Sequence, residues 1–167
     1  MKKRIIPRAV FIALTALILV FIFIMSSKPA DESDELSITF GYRLCELFKP
    51  GFKGLPESEK TSYASQINHF IRKAAHFTEF AVLGALFFTD FYLFDVRRTR
   101  CVIFGFLSGA AAAVFDEIHQ IFVPGRAGMI TDVLLDFAGV VTGCLLVFAV
   151  TLCFTAAVTR RPPKAVQ

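Results

Sequence analysis

The sequence predicts an all-α membrane protein, a bundle of four transmembrane helices with an outer amphipathic helix between spans one and two. Of its 167 residues, 55% are hydrophobic, and the mean hydropathy of +0.61 is high for a water-soluble domain. Apolar runs near the length of a membrane span, about 20 residues, recur along the chain. Basic residues gather at both ends and in one short loop, which is typical of an oriented membrane protein. We therefore expect residues 1–167 to form a single membrane domain.

Charge and cysteine spacing exclude two other classes of protein. The net charge of +4 is modest, and no basic stripe interleaved with aromatic residues suggests a nucleic-acid surface. Four cysteines are dispersed, and none forms a Cys-x-x-Cys pair, so a thiolate zinc site is not expected. We predict no nucleic-acid partner.

The first predicted span covers residues 9–27, which carry no charge and follow a basic N-terminus. This pattern fits either a signal peptide or a first transmembrane helix. A small-x-small cleavage site is not evident after the run, where Lys28 and Pro29 precede Ala30. We favour an uncleaved span with its N-terminus in the cytoplasm.

An amphipathic helix is predicted from Glu35 to Phe48. Apolar residues recur in it at intervals of four: Leu36, Phe40, Leu44 and Phe48. Such a helix lies on the outer membrane surface or packs on the top of the bundle, and the sequence does not separate these alternatives. Residues 50–56 contain two Pro and two Gly, so they should end this helix. The next helix should begin near Ser58 and continue into the second span.

The remaining predicted spans cover residues 75–94, 101–122 and 130–155. The basic loop between spans two and three contains Arg97, Arg98 and Arg100, and the basic tail contains Arg160, Arg161 and Lys164. Basic segments favour the cytoplasmic side, so four spans with both termini in the cytoplasm satisfy the charge distribution.

In this topology, ionisable side chains from three spans lie together at the outer ends of their helices. Helical spacing also places them on the same faces as small residues, in the Gly105-x-x-x-Gly109 and Gly139-x-x-x-Gly143 patterns, which allow close helix packing in lipid. Charged groups at such a position are costly and commonly functional. We therefore predict an outward-opening polar pocket between spans two, three and four, formed by Arg72, Lys73, His76, Glu79, Asp116, Glu117, Gln120, Arg126, Asp132 and Asp136.

Three ordered motifs resemble the VanZ-like family. They are Arg72-Lys73-x-x-His76-Phe77-x-Glu79-Phe80, then Asp116-Glu117-x-x-Gln120-x-Phe122-x-Pro124-Gly125-Arg126, then Asp132-Val133-x-x-Asp136-x-x-Gly139. The pair Ser26-Ser27 after the first span also fits, whereas Asp136 stands where the family usually has Asn. The resemblance implies an integral protein of the bacterial plasma membrane. The member that names the family is associated with low-level resistance to teicoplanin, a glycopeptide antibiotic.

One hypothesis is an enzyme that acts on a phospholipid or a lipid-linked cell-wall precursor. Arg72, Lys73 and Arg126 would hold a phosphate group, with Gln120 and Asp136 completing the binding site. The catalytic candidates are His76 as acid/base, Glu79 or Asp116 to orient it, and Glu117 or Asp132 as a second base. No Ser or Cys nucleophile is evident beside them, so water attack or direct transfer is expected.

Three other interpretations remain open. The pocket could bind a lipid head group or a glycopeptide without catalysis, as an accessory protein. Alternatively, the cations could neutralise the carboxylates as structural contacts between helices, which average only about 0.6 kcal/mol in membranes. A metal could be held by His76, Glu79, Asp116, Glu117 and Asp132, but with a single well-placed histidine we assign no metal and leave any cofactor unknown.

Overall fold

The computed structural model of the protein describes residues 5–159, and all its regular elements are helical. The α-helices are α1 (Ile5–Ser26), α2 (Ala30–Phe48), α3 (Glu57–Leu93), α4 (Arg98–Gln120) and α5 (Ile130–Thr159), with a short 3₁₀ turn at Phe52–Gly54. The predicted all-α class is confirmed for this part of the chain. The basic residues before Ile5 and the tail residues Arg160, Arg161 and Lys164 lie outside the described residues.

Three helices are long and apolar enough to cross a membrane: α1, α4 and residues 130–157 of α5. The predicted second span, residues 75–94, does not meet the same criterion. Its apolar residues are interrupted by His76, Glu79 and Asp90, which lower its hydropathy. The predicted total of four spans is therefore not confirmed by length and composition.

Helix α3 is the centre of the bundle. It runs without a break for 37 residues and contacts each of the other four α-helices. As predicted, one helix beginning near Ser58 continues into the region of the second span; the helix begins at Glu57. Residues on α3 can therefore meet side chains from every part of the described bundle.

Glycines allow α3 and α5 to approach backbone to backbone. A Cβ atom on Gly84 would meet the backbone of Val140, and one on Gly139 or Gly143 would meet a carbonyl oxygen of α3. Gly105 and Gly109 of α4 likewise face α5, against the side chains of Cys144 and Val140. The expected role of the two Gly-x-x-x-Gly patterns in close helix packing is confirmed.

Helix α2 differs from the prediction in its start. It begins at Ala30, directly after Pro29, instead of at Glu35, and Asp31 and Glu32 in its first turn complement the helix dipole. It packs along α3 at Gly41, against Ala64, Ile67 and Ile71. Of the predicted apolar stripe, Leu36, Phe40 and Phe48 are exposed and Leu44 is partly buried, so the described helices leave most of this stripe uncovered.

Helix α1 buries one narrow face. Thr15, Ile22 and Ser26 are buried, whereas Leu17 and Val20 are more than half exposed. The Thr15 hydroxyl donates to the Asp90 carboxylate of α3 at 2.6 Å. Exposed apolar side chains with an inward polar contact are expected for a helix that is surrounded by lipid.

Candidate functional site

A polar cavity of about 130 Å³ lies where α3, α4 and α5 meet the loop between α4 and α5. Eight of the ten predicted site residues line it: Arg72, Lys73, His76, Glu117, Gln120, Arg126, Asp132 and Asp136. These residues come from segments up to 64 positions apart in the chain, from Arg72 to Asp136. The helical phase and common depth predicted from the sequence therefore bring these eight side chains into the same cavity.

The other two predicted residues lie beside the cavity and not in its wall. Asp116 is buried, and its Oδ2 atom accepts hydrogen bonds from the Ser26 hydroxyl at 2.9 Å and from the Gln120 amide at 2.7 Å. The Oε2 atom of Glu79 lies 3.9 Å from Nδ1 of His76, too far for a hydrogen bond. Both residues can therefore affect the cavity through groups that line it.

Two cations of the site form ion pairs. Lys73 contacts Asp132 at 3.0 Å, which joins α3 to α5, and Arg72 contacts Asp34 of α2 at 2.8 Å. Asp34 was not among the predicted site residues. Its signal in the sequence was the acidic run of residues 31–35, which could have been matched to the basic pair on α3.

Arg126 is the exception among the cations. Its guanidinium donates to Oε1 of Gln120 at 3.2 Å and to the Met25 carbonyl at 3.4 Å, and both acceptors are uncharged. Within residues 5–159 it forms no ion pair with a carboxylate. Burial, and secondarily the positive charge of Arg72, lower the pKa of Arg126, but a guanidinium keeps its proton at any physiological pH.

The turn before Arg126 aims this side chain. Gly125 has a φ of 74°, in the left-handed region that favours glycine, and a Cβ there would stand 3.0 Å from the Ala30 side chain. The Ala30 amide donates to the Pro124 carbonyl at 3.2 Å. The start of α2 and the turn are therefore fixed to each other, and Arg126 emerges from a constrained backbone.

Several buried polar atoms around the cavity have no hydrogen-bond partner in the described part of the chain. They are His76 Nδ1, Glu79 Oε2, Arg126 Nε and Asp136 Oδ1. Buried polar atoms are nearly always satisfied, so a cluster of exceptions at one site needs an explanation. The structural interpretation requires Arg72, Lys73 or Arg126 to pair with a carboxylate of the predicted site. Among the described residues, Lys73–Asp132 is the single pair of this kind. The arrangement does not resemble a set of helix contacts optimised for stability.

Backbone and hydroxyl contacts around the site were missed at the level of sequence. Ser26 is fully buried against Asp116, and the Met129 amide donates to Glu117 at 3.4 Å. The Ser26-Ser27 pair was visible at the end of the first span, yet only the fold reveals which carboxylate it meets. Contacts of Met129 and Met25 are made by the backbone, and no side-chain pattern encodes them.

An apolar groove of about 770 Å³ runs beside the polar cavity, between α2 and the first half of α3. Its apolar lining includes Met25, Leu36, Phe40, Leu44, Ile67, Phe70 and Ile71. Arg72, His76 and Arg126 line both the groove and the polar cavity. The two spaces therefore meet at a charged boundary.

A protein-family model described as VanZ/LLP1 matches residues 11–153. The matched region contains all ten predicted site residues and most of the described helices. Comparison with curated proteins and with solved structures yields no match.

Proposed function

The chain belongs to the VanZ/LLP1 family, and on this premise we propose that it is a multi-pass protein of the bacterial plasma membrane that binds an envelope lipid or lipid-linked precursor. The observation that carries the proposal is Arg126, a guanidinium bonded only to uncharged acceptors, at the junction of the polar cavity and the apolar groove. A ligand with an anionic head and an apolar tail matches both spaces at once.

The proposed arrangement in the membrane has four spans, with α3 supplying the second span from about residue 75. Support comes from its packing: residues 77–84 of α3 contact Gly139, Val140 and Gly143 in the apolar stretch of α5. A segment in backbone contact with a transmembrane helix lies at the same depth. His76 and Glu79 of this segment turn toward the bundle, where ionisable groups in membranes are normally found. With both termini in the cytoplasm, the cavity opens outward.

The polar cavity suits a small anionic group. Its volume of about 130 Å³ is below the roughly 300–1,000 Å³ of typical ligand pockets, so it would hold a head group rather than a whole ligand. Arg126 offers a planar fork that binds two phosphate oxygens together. Lys73 and Arg72 also line the cavity, each with a carboxylate partner, and Glu117, Asp132 and Asp136 line it as well.

The groove suits the tail of the same molecule. Its volume of about 770 Å³ lies within the usual range for ligand pockets, and aliphatic and aromatic side chains form most of its lining. Because Arg72, His76 and Arg126 border it, an acyl or prenyl chain in the groove would place a linked phosphate beside the cavity. We therefore assign the groove to the lipid tail.

Binding of phosphatidylglycerol and phosphatidylcholine to the purified protein tests this proposal. In native mass spectrometry of detergent-purified protein, wild type should retain the anionic lipid preferentially, and Arg126→Gln should lose that preference. Arg43→Gln is the matched control, because Arg43 is an exposed arginine on α2 that pairs with Glu46. Equal retention of both lipids by wild type, or loss of preference in the control, would contradict the proposal.

A second candidate function is catalysis on the bound head group. The position of His76 favours this function. His76 lines the cavity, and Glu79 and Asp116 lie close to its ring outside the cavity wall. His76 would act as general acid/base for water attack or transfer. If the protein is an enzyme, His76→Ala should lose turnover of a lipid-linked precursor while still binding the lipid. If it only binds lipid, neither wild type nor His76→Ala should show turnover, and both should retain the lipid equally.

We also propose that this site reduces susceptibility to teicoplanin, through its action on an envelope precursor. The test compares a sensitive Gram-positive host that expresses wild type, His76→Ala or Arg126→Ala at matched membrane levels. Wild type should raise the inhibitory concentration of teicoplanin, and Arg126→Ala should not. If wild type has no effect, the resistance role is wrong, while lipid binding is judged separately by the mass spectrometry.

A further inference from the structure

Three helices each place one metal-ligating side chain at the same point beside the cavity. One nitrogen of His76 on α3, one oxygen of Asp116 on α4 and one oxygen of Asp136 on α5 all lie within 4.8 Å of one another. These residues are 20 to 60 positions apart in the chain, so only the fold brings them together. The sequence had suggested Glu79, Glu117 and Asp132 beside His76 and Asp116, and it had not suggested Asp136.

Asp136 supplies a second observation that points to a cation ligand. The residue is 2% exposed, and its Oδ1 atom has no hydrogen-bond partner among residues 5–159. A buried carboxyl oxygen without a hydrogen-bond partner is unfavourable. The two cations of α3 beside the cavity are bonded elsewhere, Lys73 to Asp132 and Arg72 to Asp34. A bound cation would satisfy this oxygen.

Asp116 is oriented as a ligand would be. Both of its donors, Ser26 and Gln120, bind Oδ2, and Oδ1 accepts no side-chain hydrogen bond in the described part of the chain. Gln120 is held in turn by Arg126. Ligating carboxylates in metal sites are commonly fixed by hydrogen bonds of this kind.

A second ionisable group, the Glu79 carboxyl, lies next to the His76 ring. Nδ1 of His76 faces Oε2 of Glu79 at 3.9 Å, and both atoms lack a hydrogen-bond partner within the described range. If Nε2 is the metal ligand, Nδ1 stays on the side of Glu79, and closing the 3.9 Å gap would let Nδ1–H donate to Oε2. This is the carboxylate–histidine arrangement that fixes the tautomer of metal-bound histidines.

We propose that His76, Asp116 and Asp136 bind a divalent cation of the Zn²⁺ or Mn²⁺ class. One imidazole with two carboxylates is a donor set that suits these ions. The three atoms, which lie within 4.8 Å of one another, must draw closer together to reach metal–ligand bonds of about 2.0–2.2 Å. Three protein ligands leave positions open on the cavity side for water or a phosphate oxygen.

Metal binding is measured on wild-type protein stripped with a chelator and purified in lipid-free detergent, with Zn²⁺ or Mn²⁺ as the only added ligand. Titration calorimetry and elemental analysis should give a single ion per chain. Asp136→Asn and His76→Gln should each weaken binding by at least about tenfold. His119→Gln is the matched control, because His119 contacts Ser27 and Phe23 instead of the cavity.

A second readout keeps the test valid if either variant is unstable. An ion that binds only the folded state raises the unfolding temperature of wild type in a concentration-dependent way. The proposal is overturned if wild type neither binds a single ion nor shows this shift, or if Asp136→Asn binds as tightly as the control. Because no lipid is present, this result is separate from the lipid-retention test on Arg126.

Discussion

Replacing Gly84 by alanine would test whether α3 and α5 depend on direct backbone contact. A methyl group at this position would stand 2.8 Å from Cα and 2.9 Å from the carbonyl carbon of Val140, and it would also meet that residue's carbonyl oxygen. Favourable carbon contacts begin near 3.5 Å, so the helices would have to separate by roughly 0.7 Å. No side-chain rotation can relieve this clash, because the opposing atoms belong to the backbone.

The expected cost follows from two opposing effects. Overpacking in a close-packed interior costs about 1–3 kcal/mol, and a backbone clash belongs at the upper end of that range. Alanine is the better helix former by about 1 kcal/mol, which offsets part of the loss. We therefore expect Gly84→Ala to lower the free energy of unfolding by about 2 kcal/mol, or the midpoint temperature by about 4–8 °C for a chain of this size.

Thermal unfolding in detergent can be followed with a thiol-reactive fluorescent dye. Cys101 and Cys144 are free and fully buried, so their labelling reports opening of the bundle. Gly54→Ala is the matched control, because a Cβ there meets nothing within 4 Å, and its change should stay within about 0.5 kcal/mol. If Gly84→Ala unfolds at the wild-type temperature or above it, the inferred backbone contact between α3 and α5 is wrong.

Two further substitutions probe the surroundings of the cavity. Ser26→Ala removes a buried donor from Asp116 and should cost about 1–3 kcal/mol in the same thermal assay. Ser27→Ala, which changes only exposed contacts, should be close to neutral, and equal losses in both would contradict a specific role for Ser26. Gly125→Ala should strain a φ of 74° by about 1–2 kcal/mol and also reduce retention of phosphatidylglycerol. Gly51→Ala, at a φ of 79°, should cost a similar amount but leave lipid retention unchanged, since it lies away from the cavity.

The sequence predicted the location of the site better than its individual contacts. Ionisable residues in membrane helices face the bundle, so helical phase was enough to bring Arg72, His76, Gln120 and Asp136 to the same cavity. Phase does not specify which charges pair across helices. The contact between Arg72 and Asp34 depends on how α2 lies along α3, and the sequence left that orientation open.

For the helices as well, the sequence predicts some features correctly and others not. The sequence predicts a helix that begins near Ser58 and continues into the second span, and α3 does so without a break. No Pro or Gly interrupts residues 57–83. The sequence predicts the start of α2 five residues late, because the acidic residues after Pro29 resemble a connection before the helix. In the structure they form its first turn, where their charge is favourable. The predicted span over residues 75–94 does not meet the length and hydropathy criterion that α1, α4 and α5 meet, because His76, Glu79 and Asp90 lower its hydropathy.

The unbroken length of α3 has a consequence for how a lipid would enter. A helix of 37 residues is roughly 55 Å long, whereas the hydrocarbon core of a bilayer is only about 30 Å thick. In the proposed four-span arrangement, in which α3 enters the core near residue 75, the first half of α3 would stand above the bilayer together with α2 and the groove-lining residues Ile67 and Ile71. A tail held there would already be lifted partly out of its leaflet. The groove would then be a rigid platform that presents a single lipid to the envelope space, with no hinge required in α3.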